Sequence, residues 1–447
     1  MIYDSSVSNL TENGKKISLI NITFPKYMEQ IFVYLLSMVH TIMLSGYSGE
    51  AVAATNVANQ VYVFALLVSG FIAVGVGVIL SIAIGEENAQ KINEATGTGI
   101  WTSAGIGGAI AVVLAIAAPA FISLMNLEGE TGKIAINYLC IKAIAIPMCA
   151  LNSCFNQMLM CRGYAKLTLV SGIATNILNV VTSYIILYSG IDLPVEGASG
   201  LAVGFCIVTF VGMVISYYFC VKKGCIGKAT FKKSVAFEIF RIGFPGTMNS
   251  MSYNIAQIIS TGFIASMGIA IINTKVYASS IVNYVYAFSL SLAQANRVIM
   301  GIYRGRREFD NIKKLHRQNV TLCLLSNVSM SLLIYIFRNP IVSIFTSDPA
   351  IARGVGIILL IDIVVEIPRA ANHIYESSHI ANGDVGATFW ISFISCWAFS
   401  IPFGYLLGIK LGFGIEGIWI AYALEESFKA IAYAIRWKKE SWRYTRI

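Results

Sequence analysis

Charged residues are scarce in this sequence, and their scarcity excludes a water-soluble protein. Only 12% of the 447 residues are Asp, Glu, Lys or Arg, whereas 56% are hydrophobic and the mean hydropathy is +0.70. A soluble fold needs a polar surface, and this composition cannot supply one. We therefore expect an integral membrane protein whose surroundings are mostly lipid.

Three further features are missing. The net charge is +9, but Lys and Arg lie in short segments between apolar runs and form no basic face, which excludes nucleic acid as a partner. The nine cysteines include no CxxC pair and mostly lie in apolar runs, so that neither a disulfide nor a metal site is expected. The first eighteen residues are polar and lack the apolar core of a cleavable signal, so the first hydrophobic segment is expected to remain in the protein.

Apolar runs of spanning length are abundant. A helix that crosses the hydrocarbon core needs about 20 predominantly apolar residues, and by this measure the sequence contains about twelve spans. They are predicted at residues 18–45, 52–82, 98–124, 134–160, 167–189, 198–221, 239–265, 272–302, 318–337, 354–380, 387–409 and 414–436.

Basic residues predict the orientation, because loops rich in Lys and Arg stay on the cytoplasmic side. Most of them lie near the two chain ends and in the loops that follow even-numbered spans. These basic segments are residues 15–16, 162–166, 222–233, 304–317 and 436–446. We therefore expect a multi-pass protein of the cell membrane with both termini cytoplasmic.

The two halves of the chain repeat each other. A shift of 220 residues, with at most one residue of slip, pairs six of the nine prolines. This regularity indicates an internal duplication. The matched positions are Ile22 with Ile242, Phe24 with Phe244, Pro25 with Pro245, Met28 with Met248, Thr41 with Thr261, Ala58 with Ala278, Gly85 with Gly305, Pro119 with Pro340, Ile146-Pro147 with Ile367-Pro368, Gly163 with Gly383 and Glu196-Gly197 with Glu416-Gly417.

Six spans per half bring each half back to the side on which it began, so the repeats are expected to be parallel. The predicted fold is an all-α membrane protein of two pseudo-symmetric six-helix bundles, residues 1–221 and 239–447, joined by a basic cytoplasmic linker at 222–238. Two such bundles enclose a cavity, and rocking one against the other gives alternating access to a site near the middle of the membrane. We therefore expect a transporter and not an enzyme, working as a monomer among membrane lipids without a cofactor.

Several short motifs resemble those of the multidrug and toxic compound extrusion (MATE) transporters, within the multidrug/oligosaccharidyl-lipid/polysaccharide exporter superfamily. VHTIMLSGYSGEAVAATNVANQV at 39–61 is similar to the family's first-helix signature, and later stretches follow in the family's order and spacing. The resemblance implies efflux of small organic, usually cationic, compounds in exchange for H⁺ or Na⁺. The later stretches are VEGASGLAVGF at 195–205, FPGTMNSM at 244–251, IANGDVGATF at 380–389 and GIEGIWIAYAL at 414–424.

The sequence departs from this family at the N-terminal acidic site. Where the family's first helix carries Asp, this chain has His40, and the acidic position of the fifth helix, after Asn176 and Asn179, is Ser183. The Glu that many members carry in the seventh helix is also absent from residues 249–257. If ion coupling is retained, other acids must provide it.

Five ionisable residues lie on one face of the tenth predicted span, within an arc of roughly 80° and over a length of about 21 Å. Each isolated charge at the centre of a spanning helix costs on the order of 3 kcal/mol, so this face must line a cavity or another helix. Pro368, in the middle, frees a backbone carbonyl, as the broken helices at transport sites do. The five residues are Asp362, Glu366, Arg369, His373 and Glu376.

Two interpretations of this stripe are open: its residues form ion pairs that join helices, or they bind the coupling ion and a cationic substrate. Three acidic residues are more than Arg369 alone can neutralise, which favours the binding of an ion and a substrate. Other residues are candidates for lining the cavity or for hydrogen bonding between helices. They are His40, Asn176, Asn179, Asn254, Gln257, Arg297 and Glu426.

Two alternative functions follow from other residues. Lys142 and Arg297 stand alone in apolar runs and favour an anionic substrate, as in polysaccharide or lipid-linked flippases of the same superfamily. HIYESSH at 373–379 has the ligand-like pattern H-x-x-E-x-x-H of a membrane metalloenzyme. On a helix, however, His379 lies about 120° around the axis from His373, and no second ligand motif occurs.

Overall fold

The computed structural model describes residues 5–12, 15–45, 49–125, 129–188, 197–227 and 230–445. Within these ranges, the side chains of residues 5–6, 11–12, 15–16, 37–38, 40–42, 44–45 and 49–53 are not described.

Almost all of the described chain is helical. The described residues contain one β-hairpin, formed by strand β1 (Asn9–Glu12) and the antiparallel strand β2 (Lys15–Ser18). Each of the twelve predicted spans falls on a long helix or on a bent series of helices, which confirms an all-α membrane protein. The helices are α1 Ser5–Ser8, α2 Leu19–Ser45, α3 Gly49–Gly85, α4 Ala89–Leu124, α5 Gly129–Ala143, α6 Ala145–Cys161, α7 Ala165–Tyr188, α8 Gly197–Lys222, α9 Lys233–Ala265, α10 Ile269–Gly305, α11 Phe309–Ile336, α12 Arg338–Ser343, α13 Pro349–Ala381, α14 Val385–Ser395, α15 Ile401–Phe403 and α16 Gly414–Lys438, with π-helical turns at Cys396–Ser400 and Gly404–Lys410.

In the described part of the chain, seven helices are long and apolar enough to cross a membrane, or eight if the bent pair α5 and α6 counts as one span. The two members of that pair meet at an angle of 41°. Helices α13, of 33 residues, and α16, of 25 residues, also have spanning length, but charged residues interrupt their apolar sequence. The five residues of the stripe lie in α13, and Glu426 lies in α16.

The chain divides by packing into two compact units. The N-terminal unit is Phe24–Thr247, and the C-terminal unit comprises the described residues before and after it. Each unit has its own apolar core, built around Ala58 and Leu139 in the first and around Ile358 and Trp419 in the second. The division falls within α2 and α9, and the domain boundary at 222–238 stays a prediction.

The duplication is also visible in the backbone. Glu87 and Arg307, which are 220 residues apart, both adopt a positive φ, of 54° and 59°. Gly163 and Gly383, also 220 residues apart, do so with φ of 74° and 79°. Left-handed backbone is uncommon outside glycine, so its recurrence at equivalent helix ends indicates that both repeats keep the same chain reversals.

Helices α3 and α9 approach closely within the N-terminal unit, where Gly243 lies against the backbone of Phe71. A Cβ at Gly243 would lie 2.0 Å from the Phe71 carbonyl oxygen. We expect Gly243→Ala to lower the midpoint of thermal unfolding in detergent, because overpacking costs about 1–3 kcal/mol. The control is Gly246→Ala on the same helix, where a Cβ meets nothing within 4 Å. Equal midpoints for the two variants would contradict this account.

Candidate coupling site in the C-terminal unit

Helix α13 carries the predicted stripe. The helix begins after Asp348, whose carboxylate accepts hydrogen bonds from the backbone N–H groups of Ala350 at 2.8 Å and Ile351 at 3.4 Å. Pro349 takes the first position, where its missing N–H costs nothing. Helices α10, α11 and α16 pack against α13, so the polar face of the stripe meets protein in the described structure.

Arg369 is the centre of the first part of the stripe. Its Nη1 lies 2.5 Å from Glu366 Oε1 and 3.7 Å from Asp362 Oδ1. Glu366 is completely buried and Asp362 is 3% exposed. The structure therefore brings these three predicted residues together as one ion-pair cluster inside the unit.

Neutral donors from neighbouring helices complete this cluster. Asn327 of α11 donates from Nδ2 to Glu366 Oε2 at 2.7 Å. Trp419 of α16 donates from its indole N–H to Asp362 Oδ1 at 3.2 Å. Because the two carboxylates accept from these donors as well as from Arg369, the guanidinium alone does not satisfy them. Asn327 and Trp419 were not among the predicted site residues.

Helix α16 adds two more carboxylates. Lys429 Nζ lies 3.0 Å from Glu425 Oε1 and 3.4 Å from Glu426 Oε1. Glu426 Oε1 is also 3.9 Å from Nε of Arg369, and Asn372 donates to Glu426 Oε2 at 2.7 Å. The sequence predicted Glu426 as a cavity candidate, and the structure joins both Glu425 and Glu426 to the α13 cluster.

The remaining two residues of the stripe have separate partners. Glu376 Oε1 accepts a hydrogen bond of 2.6 Å from Asn249 Nδ2 of α9. The ring of His373 packs edge-on to Tyr286, with centroids 5.1 Å apart. His373 Nε2 is buried and has no hydrogen-bond partner among the described residues.

The cluster contains more acids than bases. Five carboxyl groups, on Asp362, Glu366, Glu376, Glu425 and Glu426, are opposed by Arg369 and Lys429. A favourable charge interaction from Arg297 at Glu376 adds a third base and still leaves a surplus. Buried carboxylates that crowd one another favour the uptake of a proton or a cation.

The other predicted cavity residues have individual hydrogen bonds within their units. His40 lies in α2, and its side chain is outside the described residues. Asn176 and Asn254 each donate to the backbone carbonyl four residues earlier, at 2.8 Å. Asn179 Oδ1 accepts from Ser183 at 3.5 Å, and Gln257 Oε1 accepts from Tyr422 at 3.2 Å.

Lys142, which was expected to stand alone, has partners in the N-terminal unit. Its Nζ donates to Asn59 Oδ1 at 2.5 Å and to the Tyr138 hydroxyl at 3.1 Å. The ammonium also lies 4.6 Å from the ring centroid of Tyr62 and 4.5 Å from that of Phe205, within cation–π range. All of these partners are uncharged.

The residues of the metalloenzyme pattern do not converge. His379 Nδ1 lies 3.1 Å from Asp384 Oδ2, whereas His373 packs against Tyr286. Within the described ranges, no three His, Cys, Asp or Glu side chains are placed to hold a metal ion.

A membrane protein of two repeated helical units, with an ionisable cluster buried in its spanning helices, is in the class of transporters. The chain belongs to the MatE family, whose model matches residues 25–185 and 245–406, one match in each half. As this family consists of transporters, the chain is a transporter and not an enzyme, as its motifs predicted.

Two relatives align with nearly the whole chain. The uncharacterized transporter YisQ of Bacillus subtilis is 30% identical over 434 residues, which cover 96% of this chain and 95% of the relative. A probable multidrug resistance protein NorM of Thermotoga maritima is 26% identical over 92% of this chain and 90% of the relative.

Solved structures share the fold. A MOP superfamily transporter from Pyrococcus furiosus superposes with a TM-score of 0.86 at 17% identity, over 96% of both chains. The crystal structure of a MATE protein in its bent conformation gives a TM-score of 0.87 at 17% identity, over 95% of this chain and 96% of that one.

Removal of Arg369 tests the energetics of the cluster. We expect Arg369→Met to lower the free energy of unfolding in detergent by about 3–5 kcal/mol, because Asp362 and Glu366 then lose their shared cation. Adding Glu366→Gln should cost less than in the wild-type background, with a coupling of about 0.5–3 kcal/mol. Arg353→Met is the control, because Arg353 is exposed on the same helix. Strictly additive effects would contradict the proposed cluster.

Proposed function

We propose that the protein is a secondary active efflux transporter that exchanges an organic cation for H⁺ or Na⁺ by alternating access. The coupling site in this proposal is the carboxylate cluster of α13 and α16. The observation that carries it is the surplus of buried carboxyl groups over Arg369 and Lys429. The multidrug resistance name of the Thermotoga relative supports efflux of organic compounds.

The mechanism follows from competition for the same carboxylates. Arg369 neutralises part of the charge at Asp362 and Glu366, and Lys429 does the same at Glu425 and Glu426. A cationic substrate is attracted by the remaining negative charge, and protonation or Na⁺ binding reduces that charge and releases the substrate. Since either occupant lowers the negative charge of the site, each one favours the change of access that the empty site opposes.

An anionic or lipid-linked substrate is the second candidate. The specific observation in its favour is Lys142, whose hydrogen-bonding and aromatic partners among the described residues are all uncharged. A negatively charged substrate would supply the missing counter-charge.

Amide variants test the coupling role. In proteoliposomes loaded with tetraphenylphosphonium, we expect Asp362→Asn and Glu366→Gln to reduce transport driven by an imposed pH or Na⁺ gradient by at least about tenfold, a change of about 1.4 kcal/mol in the coupled step. The matched control is Glu29→Gln in the N-terminal unit, whose carboxylate lies 2.7 Å from Lys26 and is expected to be dispensable.

If both amide variants transport at the wild-type rate under a gradient, the stripe has only a structural role and the coupling site is contradicted. If the wild-type protein binds an anionic glycolipid and not the cation, and Lys142→Met releases that lipid, the second candidate replaces the first.

The site is proposed to work in a monomer in the cell membrane, surrounded by lipid, with both termini in the cytoplasm. The Lys and Arg asymmetry of the loops supports this orientation. We expect a membrane-impermeant thiol reagent added outside cells to label Lys133→Cys and not Lys439→Cys. Both positions are exposed, and the wild-type protein with its nine cysteines serves as the blank. The reverse pattern of labelling would invert the topology.

A further inference from the structure

Helices α7 and α8 of the N-terminal unit each expose an apolar stripe. Only 11% of the most apolar stretch of α7 is buried within the protein. The exposed positions recur at steps of three or four residues, which places them on one face of each helix. In spanning helices, such a face is a surface for apolar partners. The exposed residues are Val170, Ala174, Ile177, Leu178 and Val181 on α7, and Ile207, Phe210, Val214, Tyr218 and Val221 on α8.

A groove of about 280 Å³ lies between these two helices. The helices approach closely beside it, because a Cβ on Gly212 would lie 2.5 Å from Thr175 Oγ1. Thr175 is the one polar residue of the lining, and its hydroxyl donates to the Ser171 carbonyl at 2.7 Å. The groove therefore favours a hydrocarbon chain over a polar molecule. Its other lining residues are Ala174, Ile177, Leu178, Val181, Val211 and Ile215.

Both exposed stripes lead to lysines. Lys166 precedes Val170 by four residues on α7, and Lys222 follows Tyr218 by four residues on α8, so each lysine lies on the face of its stripe. Lys222 Nζ lies 3.4 Å from the Tyr218 hydroxyl. Since consecutive spans run in opposite directions, the start of α7 and the end of α8 are on the same side of the unit.

The turn after α6 joins the end of α8 at this level. Lys223 Nζ lies 5.5 Å from the ring centroid of Tyr164, within cation–π range. Cys220 Sγ contacts the Phe155 carbonyl of α6 at 3.4 Å. These contacts bring the bases of the two segments to one end of the N-terminal unit.

Four residues form a basic cluster at this end: Arg162, Lys166, Lys222 and Lys223. The three lysines are exposed. No ion pair of the described residues includes any of the four. Because the contacts of Lys222 and Lys223 are with tyrosines, the cluster keeps its positive charge and attracts an anion from outside the protein.

The basic cluster and the groove are separated by the distance that a phospholipid spans. Ile215 precedes Lys222 by seven residues, about 10.5 Å along α8, and Ala174 follows Lys166 by eight residues, about 12 Å along α7. The headgroup region is roughly 5–8 Å thick on each side of the hydrocarbon core. A phosphate held by the lysines therefore places the acyl chains at the depth of the groove.

We propose that this face of the N-terminal unit binds an anionic phospholipid, with its phosphate on the basic cluster and one acyl chain in the groove between α7 and α8. Four bases without an acidic partner select an anionic headgroup over a zwitterionic one. Anionic lipids are abundant in the cytoplasmic leaflet, which is the expected side of the loops that contain these bases. The inference is independent of the substrate and of the coupling ion proposed above.

The headgroup is tested by lipid titration of the detergent-purified full chain, with bound lipid counted by native mass spectrometry. We expect phosphatidylglycerol to bind at least about tenfold more tightly than phosphatidylcholine with the same acyl chains, because each base adds to the attraction of an anionic lipid. The triple variant Lys166→Gln/Lys222→Gln/Lys223→Gln should remove this preference.

A second triple variant controls for net charge. Lys314→Gln/Lys438→Gln/Lys439→Gln removes the same charge from exposed lysines of the C-terminal unit. It should stay within about twofold of the wild-type affinity, since charges further than a Debye length from the lipid are screened. Equal losses in the two triple variants would indicate unspecific attraction and overturn the site, as would equal wild-type affinities for the two lipids.

The groove is tested separately. Ala174→Phe fills it and should weaken the binding of phosphatidylglycerol by at least about fivefold, because the acyl chain loses its apolar contacts. Val170→Phe is the matched control, because Val170 is exposed on the same stripe but does not line the groove. Wild-type affinity in Ala174→Phe would overturn the acyl-chain site. Displacement of the lipid by millimolar glycerol 1-phosphate would identify a soluble phosphate ester as the occupant and overturn the phospholipid.

Discussion

The pairing of Arg369 with buried carboxylates is the interaction on which the C-terminal unit depends. A single charge in the middle of a spanning helix is costly, and the α13 stripe carries several. Within protein, the Coulomb attraction between Arg369 and Glu366 offsets much of the desolvation of both groups, but only if every remaining oxygen also finds a donor. The arrangement of the surrounding helices follows from that requirement.

Three helices each supply a donor at a different level of the stripe. Helix α16 provides the Trp419 indole at Asp362, α11 provides Asn327 at Glu366, and α9 provides Asn249 at Glu376. These are neutral groups, so they satisfy hydrogen bonds without cancelling charge. The cluster is consequently well hydrogen-bonded and still rich in negative charge.

The sequence predicted the positions of the long helices closely, because length, hydropathy and the positions of proline and glycine act locally. It also predicted the α13 stripe, since a spacing of three and four residues defines one helix face without knowledge of the neighbours. The partners of the stripe were harder to foresee. Asn327 and Trp419 meet the stripe only through the packing of α11 and α16, and an isolated Asn or Trp in an apolar span has no periodic signal. Lys142 was misjudged for the same reason, because Asn59, more than eighty residues away in sequence, supplies its acceptor.

The two repeats differ in charge at nearly equivalent positions. Pro147 and Pro368 are equivalent prolines, and Lys142 lies five residues before the first, whereas Asp362 lies six residues before the second. Nearly the same level of the duplicated helix therefore carries a base in one repeat and an acid in the other. The base is surrounded by neutral acceptors and aromatic rings, while the acid shares Arg369 with a second carboxylate. In the function that we propose, the crowded carboxylates of the C-terminal repeat bind the coupling ion, because buried like charges favour the uptake of a cation. Coupling then needs an acidic site in one repeat and not in both.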